Sequence, residues 1–276
     1  STTAIALQTG EVNFATIESS TIAQLSANPN IEIAEVANSG FTYVSMNTEK
    51  EPFNDVKVRQ AINYAINREN LVQVCYDGEA EVNSNICSKD RFGYSDDQIQ
   101  YTYDPEKAKE LLVEAGIETP YDLGEMLVAE KYSNIATVLQ RDLAAVGLNV
   151  TIAVKEFNSY IGDLTSGNYG ITALEMTLDG DTQMLEMAFT SDYIGTANNA
   201  RYSDATMDEL FEKTRTETDT DARKELFDEI LTKAQDEAIY AVIDNPLTLF
   251  AYNTDLNCPE FPYEGIYSIY DFTWAE

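Results

Sequence analysis

Two carboxylates, Asp179 and Asp181, flank Gly180 just past a strand predicted over residues 170–176. The C-terminal end of a strand is where α/β folds place their ligands. Acids so spaced suit several chemistries. As calcium ligands they fail, because an EF-hand loop begun at Asp179 needs glycine at its sixth position and glutamate at its twelfth. Met184 and Thr190 stand there, and only Gln183, at the fifth, could serve. As a glycosidase pair, Asp179 and Asp181, or either with Glu175, would need carboxyls about 5–10 Å apart and one raised pKa. As structural residues, Asp181 caps a helix running through Met187 and Asp179 is a solvated loop acid.

The chain has no histidine. Ser-His-Asp and Cys-His catalysis are therefore excluded, as are histidine-ligated metal sites. Cys75, Cys87 and Cys258 form no CxxC pair. Cys75 and Cys87 flank a polar loop that a disulfide could close in an oxidising compartment. Two free thiols are the other reading of the same spacing.

Lys plus Arg number 17 and Asp plus Glu 48 among 276 residues, a formal charge of 17 − 48 = −31. Nucleic acid and anionic membrane surfaces both call for a basic footprint, which is missing. No run of about 18 apolar residues reads as a membrane span, and no secretion signal opens the given chain.

The elements that must hold these residues follow from periodicity. PFNDVKVRQAINYAINR, residues 52–68, predicts a helix capped by Asp55 with Val58, Ala61, Ile62, Ala65 and Ile66 on its apolar face. Arg59 and Asn63 fall off that face. A second helix begins at Glu69, and residues 78–99 read as loop. DPEKAKELLVEAGI carries its own punctuation: Asp104 as N-cap, Pro105 at the first helical position, Gly116 as stop. Residues 123–129, 133–146, 148–154, 158–166 and 170–176 alternate strand and helix, which implies a largely parallel sheet with crossover helices. No glycine-rich phosphate loop sits at any strand-to-helix turn. Helices follow at 203–215 and 218–238, then a strand at 239–243 that Asp244-Asn245-Pro246 is expected to break. Extended segments at 41–46 and 247–252 are expected to pair with each other.

NTEKEPFNDVKVRQAINYAINRENLV (residues 47–72), YTYDPEKAKELLVEAGI (residues 101–117) and ALQTGEVNFA near the start occur in this chain. Together they resemble the signatures of the family 5 extracellular solute-binding proteins, the dipeptide/oligopeptide/nickel group of ABC importers. The resemblance implies a periplasmic-binding-protein type II-like lobe of α/β class, with a mixed sheet flanked by helices. It implies lobe II over residues 46–243, with residues 1–45 and 244–276 as lobe I segments flanking the crossings. On this reading most of lobe I is missing and the chain is a truncated piece. It implies a non-catalytic role: capture of a ligand, a short peptide by family majority, between two lobes. A nickel chelate or an oligosaccharide is the lesser choice. The partners would be an ABC permease and ATPase. The place would be the extracellular face of a bacterial membrane or the periplasm, with a lipid anchor on the missing N-terminus. No cofactor is implied. A surface receptor or adhesin on the same scaffold, or a glycosidase, is the alternative.

The resemblance also assigns site residues. Peptide-binding relatives carry W-x-x-D-x-x-D, whose first acid pairs with the peptide ammonium. Asp179 matches that acid, Asp181 is a shifted second one, and Met176 stands where tryptophan would be. The relatives' cation for the ligand carboxylate maps to Lys131, beside Tyr132, without arginine's bidentate fork.

Overall fold

The computed structural model describes residues 1–37, 40–87, 91–178, 182–259, 261 and 267–275. The chain opens with α1 (Thr2–Thr9), β1 (Phe14–Ile17), α2 (Ile22–Ser26), β2 (Ile31–Ala37) and β3 (Phe41–Met46). Next come α3 (Val56–Ala65), α4 (Arg68–Tyr76), β4 (Ala80–Val82) and α5 (Pro105–Glu114). The alternating part is β5 (Tyr121–Ala129), α6 (Ser133–Ala145), β6 (Leu148–Lys155), α7 (Phe157–Ser166) and β7 (Ile171–Met176). Then follow α8 (Glu186–Phe189), α9 (Ala205–Thr216), α10 (Thr220–Asp236), β8 (Tyr240–Asn253), β9 (Leu256–Asn257) and β10 (Thr273–Trp274).

The sheet order is β1-β8-β3-β7-β5-β6, with β2 and β4 also paired to β8. β5 runs parallel to both β6 and β7, and the crossovers α6 and α7 make this possible. β3 inserts antiparallel between β7 and β8, and β1, β2 and β4 pair antiparallel with β8, so the sheet is mixed, as the resemblance implied, but mostly antiparallel; the largely parallel arrangement holds only for β5, β6 and β7. Two apolar cores result. The larger packs β3, β5, β7 and the first half of β8 against α3, α5, α6, α9 and α10. The smaller joins Ala4, Leu7, Ile17 and Leu25 to Leu249 and Ala251.

Local chemistry explains the elements. Asp55 accepts a hydrogen bond from the Lys57 amide at 2.8 Å and starts α3. Val58, Ala61, Ile62 and Ala65 are then fully buried, each large aliphatic side chain contributing about 1.5–3 kcal/mol. Asp104 accepts from the Lys107 amide at 2.9 Å, with Pro105 first in α5. Asp104→Ala is expected to cost about 1 kcal/mol, the usual worth of such a cap. A thermal melt followed by circular dichroism would check this, and an unchanged midpoint would refute it.

Three further expectations are corrected, and the open cysteine alternative is resolved. Pro246 does not break the strand: β8 runs unbroken through it. There β8 exchanges partners, from β3 with a register shift at Thr42/Tyr43 to β2 beginning at Leu247, while the short edge strand β4 pairs Asp244, Asn245 and Pro246, and a proline is tolerated at such an edge. The first and last segments do pair, but β8 from Leu247 onward bonds β1 and β2. β3 instead takes the stretch from Tyr240 to Asp244. Arg59 and Asn63 are buried rather than peripheral. Arg59 donates to the carbonyls of Phe53 and Glu237, at 2.8 and 2.7 Å, so α3 uses a polar face to grip the end of α10. Finally, Cys75 and Cys87 are free thiols. Cys75 lies on α4 within the field of Asp244, whereas Cys87 is buried beside Arg91 and Thr182, so the two face different neighbours. Burial pushes the thiols up to about 11 and about 12, respectively. The expected helix start at Asp181 lies outside the described residues. The chain continues from Thr182 with a 3-10 turn, Thr182–Leu185, and the short α8.

Candidate functional site

Strand register builds a polar row across the sheet. Thr42 of β3 stands opposite Asp244 of β8 on one side and Glu175 of β7 on the other. Directly paired residues project to the same face. β5, next to β7, ends at Ala129, and the turn after it brings Lys131 to Glu175, Nζ to Oε2 2.8 Å. The row therefore reads Asp244, Thr42, Glu175, Lys131 over three neighbouring strands and the turn that follows a fourth.

Tyr132 fixes the Lys131 end. Its ring lies 4.5 Å beneath the Lys131 ammonium, and its hydroxyl accepts from the Glu175 amide at 3.2 Å. Burial pulls the Lys131 ammonium down, but hydrogen bonds to Glu175 and Tyr132 outweigh it and the net direction is up. At the other end Asp244 is fully buried. One of its oxygens accepts from the Thr42 hydroxyl at 2.9 Å, and Thr42 also meets the Tyr76 hydroxyl at 3.0 Å. The other oxygen has no hydrogen-bond partner among the described residues. Burial, reinforced by the Glu175 charge, lifts the Asp244 carboxyl to about 7 despite the Thr42 bond.

A cavity of about 390 Å³ opens beside the row, over the C-terminal ends of β5 and β7. Lys131, Tyr132 and Glu175 form one wall, and Phe157, Tyr160, Ile161 and Leu164 of α7 form another. Tyr160 is held by hydrogen bonds to Thr172 (3.1 Å) and the Ala173 carbonyl (3.3 Å). Phe157 and Ile161 remain exposed at the rim, 56% and 39%. A smaller recess of about 70 Å³ lies on the other side of Glu175, lined by Gly40, Phe41, Met176, Thr177 and Pro246. Gly40 is required here, since a Cβ on it would sit 2.3 Å from the Met176 carbonyl oxygen.

Of the residues singled out in the sequence, Lys131 and Met176 thus fall at adjacent strand ends with Glu175 between their cavities. Asp179 and Asp181 lie outside the described residues. Among the described residues no cluster of His, Cys, Asp and Glu could hold a metal ion, and no helix is long and apolar enough to cross a membrane. A larger cavity, about 550 Å³, lies apart, between α4, β4 and residues 94–103. Its Arg68 is engaged by the carbonyls of Val242, Asn63 and Tyr101. Asp244 and the Arg68 fork are the important groups that periodicity missed. An acid closing the apolar run YAVID was the available signal for the first.

The profile of the bacterial extracellular solute-binding proteins, family 5 (middle), matches residues 1–206. The chain belongs to this family. Family 5 members are solute-binding proteins rather than enzymes. Among curated relatives, the dipeptide-binding protein of Escherichia coli K12 is 35% identical over 62% of this chain and 31% of its own length. Heme-binding protein A of Haemophilus influenzae is 30% identical over 75% of this chain and 39% of its own. Among solved structures, the Helicobacter pylori periplasmic binding protein DppA, in complex with the peptide STSA, superposes on all of this chain. There the TM-score is 0.86 and the identity 26%, over 55% of that chain. The Listeria monocytogenes substrate-binding protein CtaP, at 21% identity and TM-score 0.91, shares the fold. The chain thus spans 31–58% of the length of these family 5 relatives.

Proposed function

We propose that this chain is the ligand-binding lobe of the substrate-capture component of an ABC importer for short peptides. Residues 46–243 form that lobe, and residues 1–45 and 244–276 join it to a second lobe that closes over the ligand. The observation that carries the reading is the cavity at the ends of β5 and β7, with its paired ammonium and carboxylate and its exposed aromatic rim. Family membership and the peptide-binding relatives support it. The loop acids Asp179 and Asp181 would receive the peptide ammonium by charge-assisted hydrogen bonds, with Met176 and Lys131 beside them. The protein would work outside the cytoplasmic membrane, lipid-anchored, delivering ligand to a permease and its ATPase, and would not catalyse a reaction. A glycosidase role is disfavoured because Glu175 is held by Lys131.

The test is to purify the two-lobed protein, unfold it to release carried ligand, and identify that ligand by mass spectrometry. Short peptides are expected from the parent, and none from Asp179→Ala. A sugar, a metal chelate or no ligand from the parent would overturn the peptide reading. Peptides retained by the variant would return Asp179 to a loop acid.

A further inference from the structure

The 390 Å³ cavity has two charged residues in its described wall, and they are bonded to each other. The pair is held from three directions. Tyr132 seats the Lys131 ammonium on its ring face and takes the Glu175 amide on its hydroxyl. The strand pairing of Glu175 with Thr42 fixes the carboxylate's backbone on the side away from β5. Tyr160 and Leu164 are buried, and Phe157 and Ile161 stand exposed where they could meet a ligand. The cavity thus sets an apolar, aromatic face against a wall whose charges cancel, with the uncharged Thr165, Thr177, Thr196 and Asn199 completing the lining.

We infer that Glu175 determines specificity here: by occupying Lys131, it makes this cavity take an uncharged apolar or aromatic residue of the ligand and turn away its terminal carboxylate. The inference rests on the peptide-binding reading above. A carboxylate entering beside Lys131 meets Glu175 at nearly the same distance, so attraction and repulsion offset. An apolar side chain entering the same space gains contact with Phe157, Ile161 and Leu164 and disturbs no ion pair.

The experiment uses the two-lobed protein and two probes, the tripeptide Ala-Ala-Phe and its C-terminal amide, each titrated calorimetrically. The parent is expected to bind the amide at least as tightly as the acid. Glu175→Gln, which frees the ammonium while keeping size and hydrogen bonding, should shift the preference toward the acid about tenfold. Glu175→Gln with Lys131→Met should abolish that shift. A parent preferring the acid tenfold or more, or a Glu175→Gln ratio equal to the parent's, would overturn the inference while leaving peptide binding intact. Failure of the folded parent to bind either probe would remove both this inference and the reading beneath it.

Discussion

Arg68→Met is expected to destabilise the protein by about 3–5 kcal/mol, because it leaves four buried acceptors without their donor. Arg68 is 4% exposed, at the start of α4. Its guanidinium donates to the carbonyls of Val242 (2.6 Å), Asn63 (3.0 Å) and Tyr101 (3.2 Å) and to the side-chain oxygen of Asn63 (3.0 Å). Burial lowers its pKa to about 10, so it stays cationic at neutral pH. Methionine matches its length but satisfies none of the four acceptors, and each buried orphan costs about 1–3 kcal/mol before relaxation. A domain's total stability is about 5–15 kcal/mol, so the variant should lose much of its folded population. Arg68→Lys should fail too, since one ammonium cannot reproduce a planar fork aimed at three segments. Urea unfolding would measure this, and a loss below about 1 kcal/mol for Arg68→Met would refute it.

Asp244→Asn is expected to act in the opposite direction and to depend on pH. The folded-state carboxyl sits at about 7, against 3.8 for an unperturbed aspartate. Below about pH 4 both folded and unfolded states hold the proton, and the contribution to stability is full. As pH rises toward 7 the unfolded chain releases the proton while the folded chain retains it, so stability declines, and the loss levels off above pH 7. A difference of about three units corresponds to at most about 4 kcal/mol. Asparagine keeps an acceptor for Thr42 and carries no charge. The variant should match the parent near pH 4 and exceed it by about 2–4 kcal/mol at pH 8. Parallel stability profiles for parent and variant across pH 4.5–8 would show that Asp244 does not carry this proton.

Much of the fold was legible because its signals are local. Asp55 and Asp104 place helix starts by accepting hydrogen bonds from amides two or three residues on, and Pro105 fits the first helical position because no amide is needed there. The Leu148, Val150 and Ile152 alternation needs only the pleat. The features that escaped depend on distance in sequence. Arg59 and Arg68 look like solvent-facing charges by period, yet each reaches an acceptor more than 170 residues on, at Glu237 and Val242. The motif in residues 47–72 owes its polar positions to these long-range grips. Lys131 was legible as a strand-end cation. Its capture by Glu175, 44 residues on, depends on β5 and β7 being neighbours, which no local pattern encodes. Pro246 misled because the rule against proline in strands assumes one continuous partner.

That changeover of partners has a mechanical consequence. β8 is a single 14-residue strand, laddered to β3 in its first part and to β2 and β1 in its last. Along β8 the two cores are thus joined by a rod whose length cannot change. Rotation of one core against the other must be absorbed as torsion along the rod. Strands tolerate such torsion: neighbours in sheets differ by about 10–35° in twist. Twist added from Asp244 to Leu247 would fall where β8 changes from β3 to β2, and β4, paired to Asp244, Asn245 and Pro246, would have to turn with it. The rod would also carry a restoring torque, so the bare molecule has a preferred angle to which it springs back.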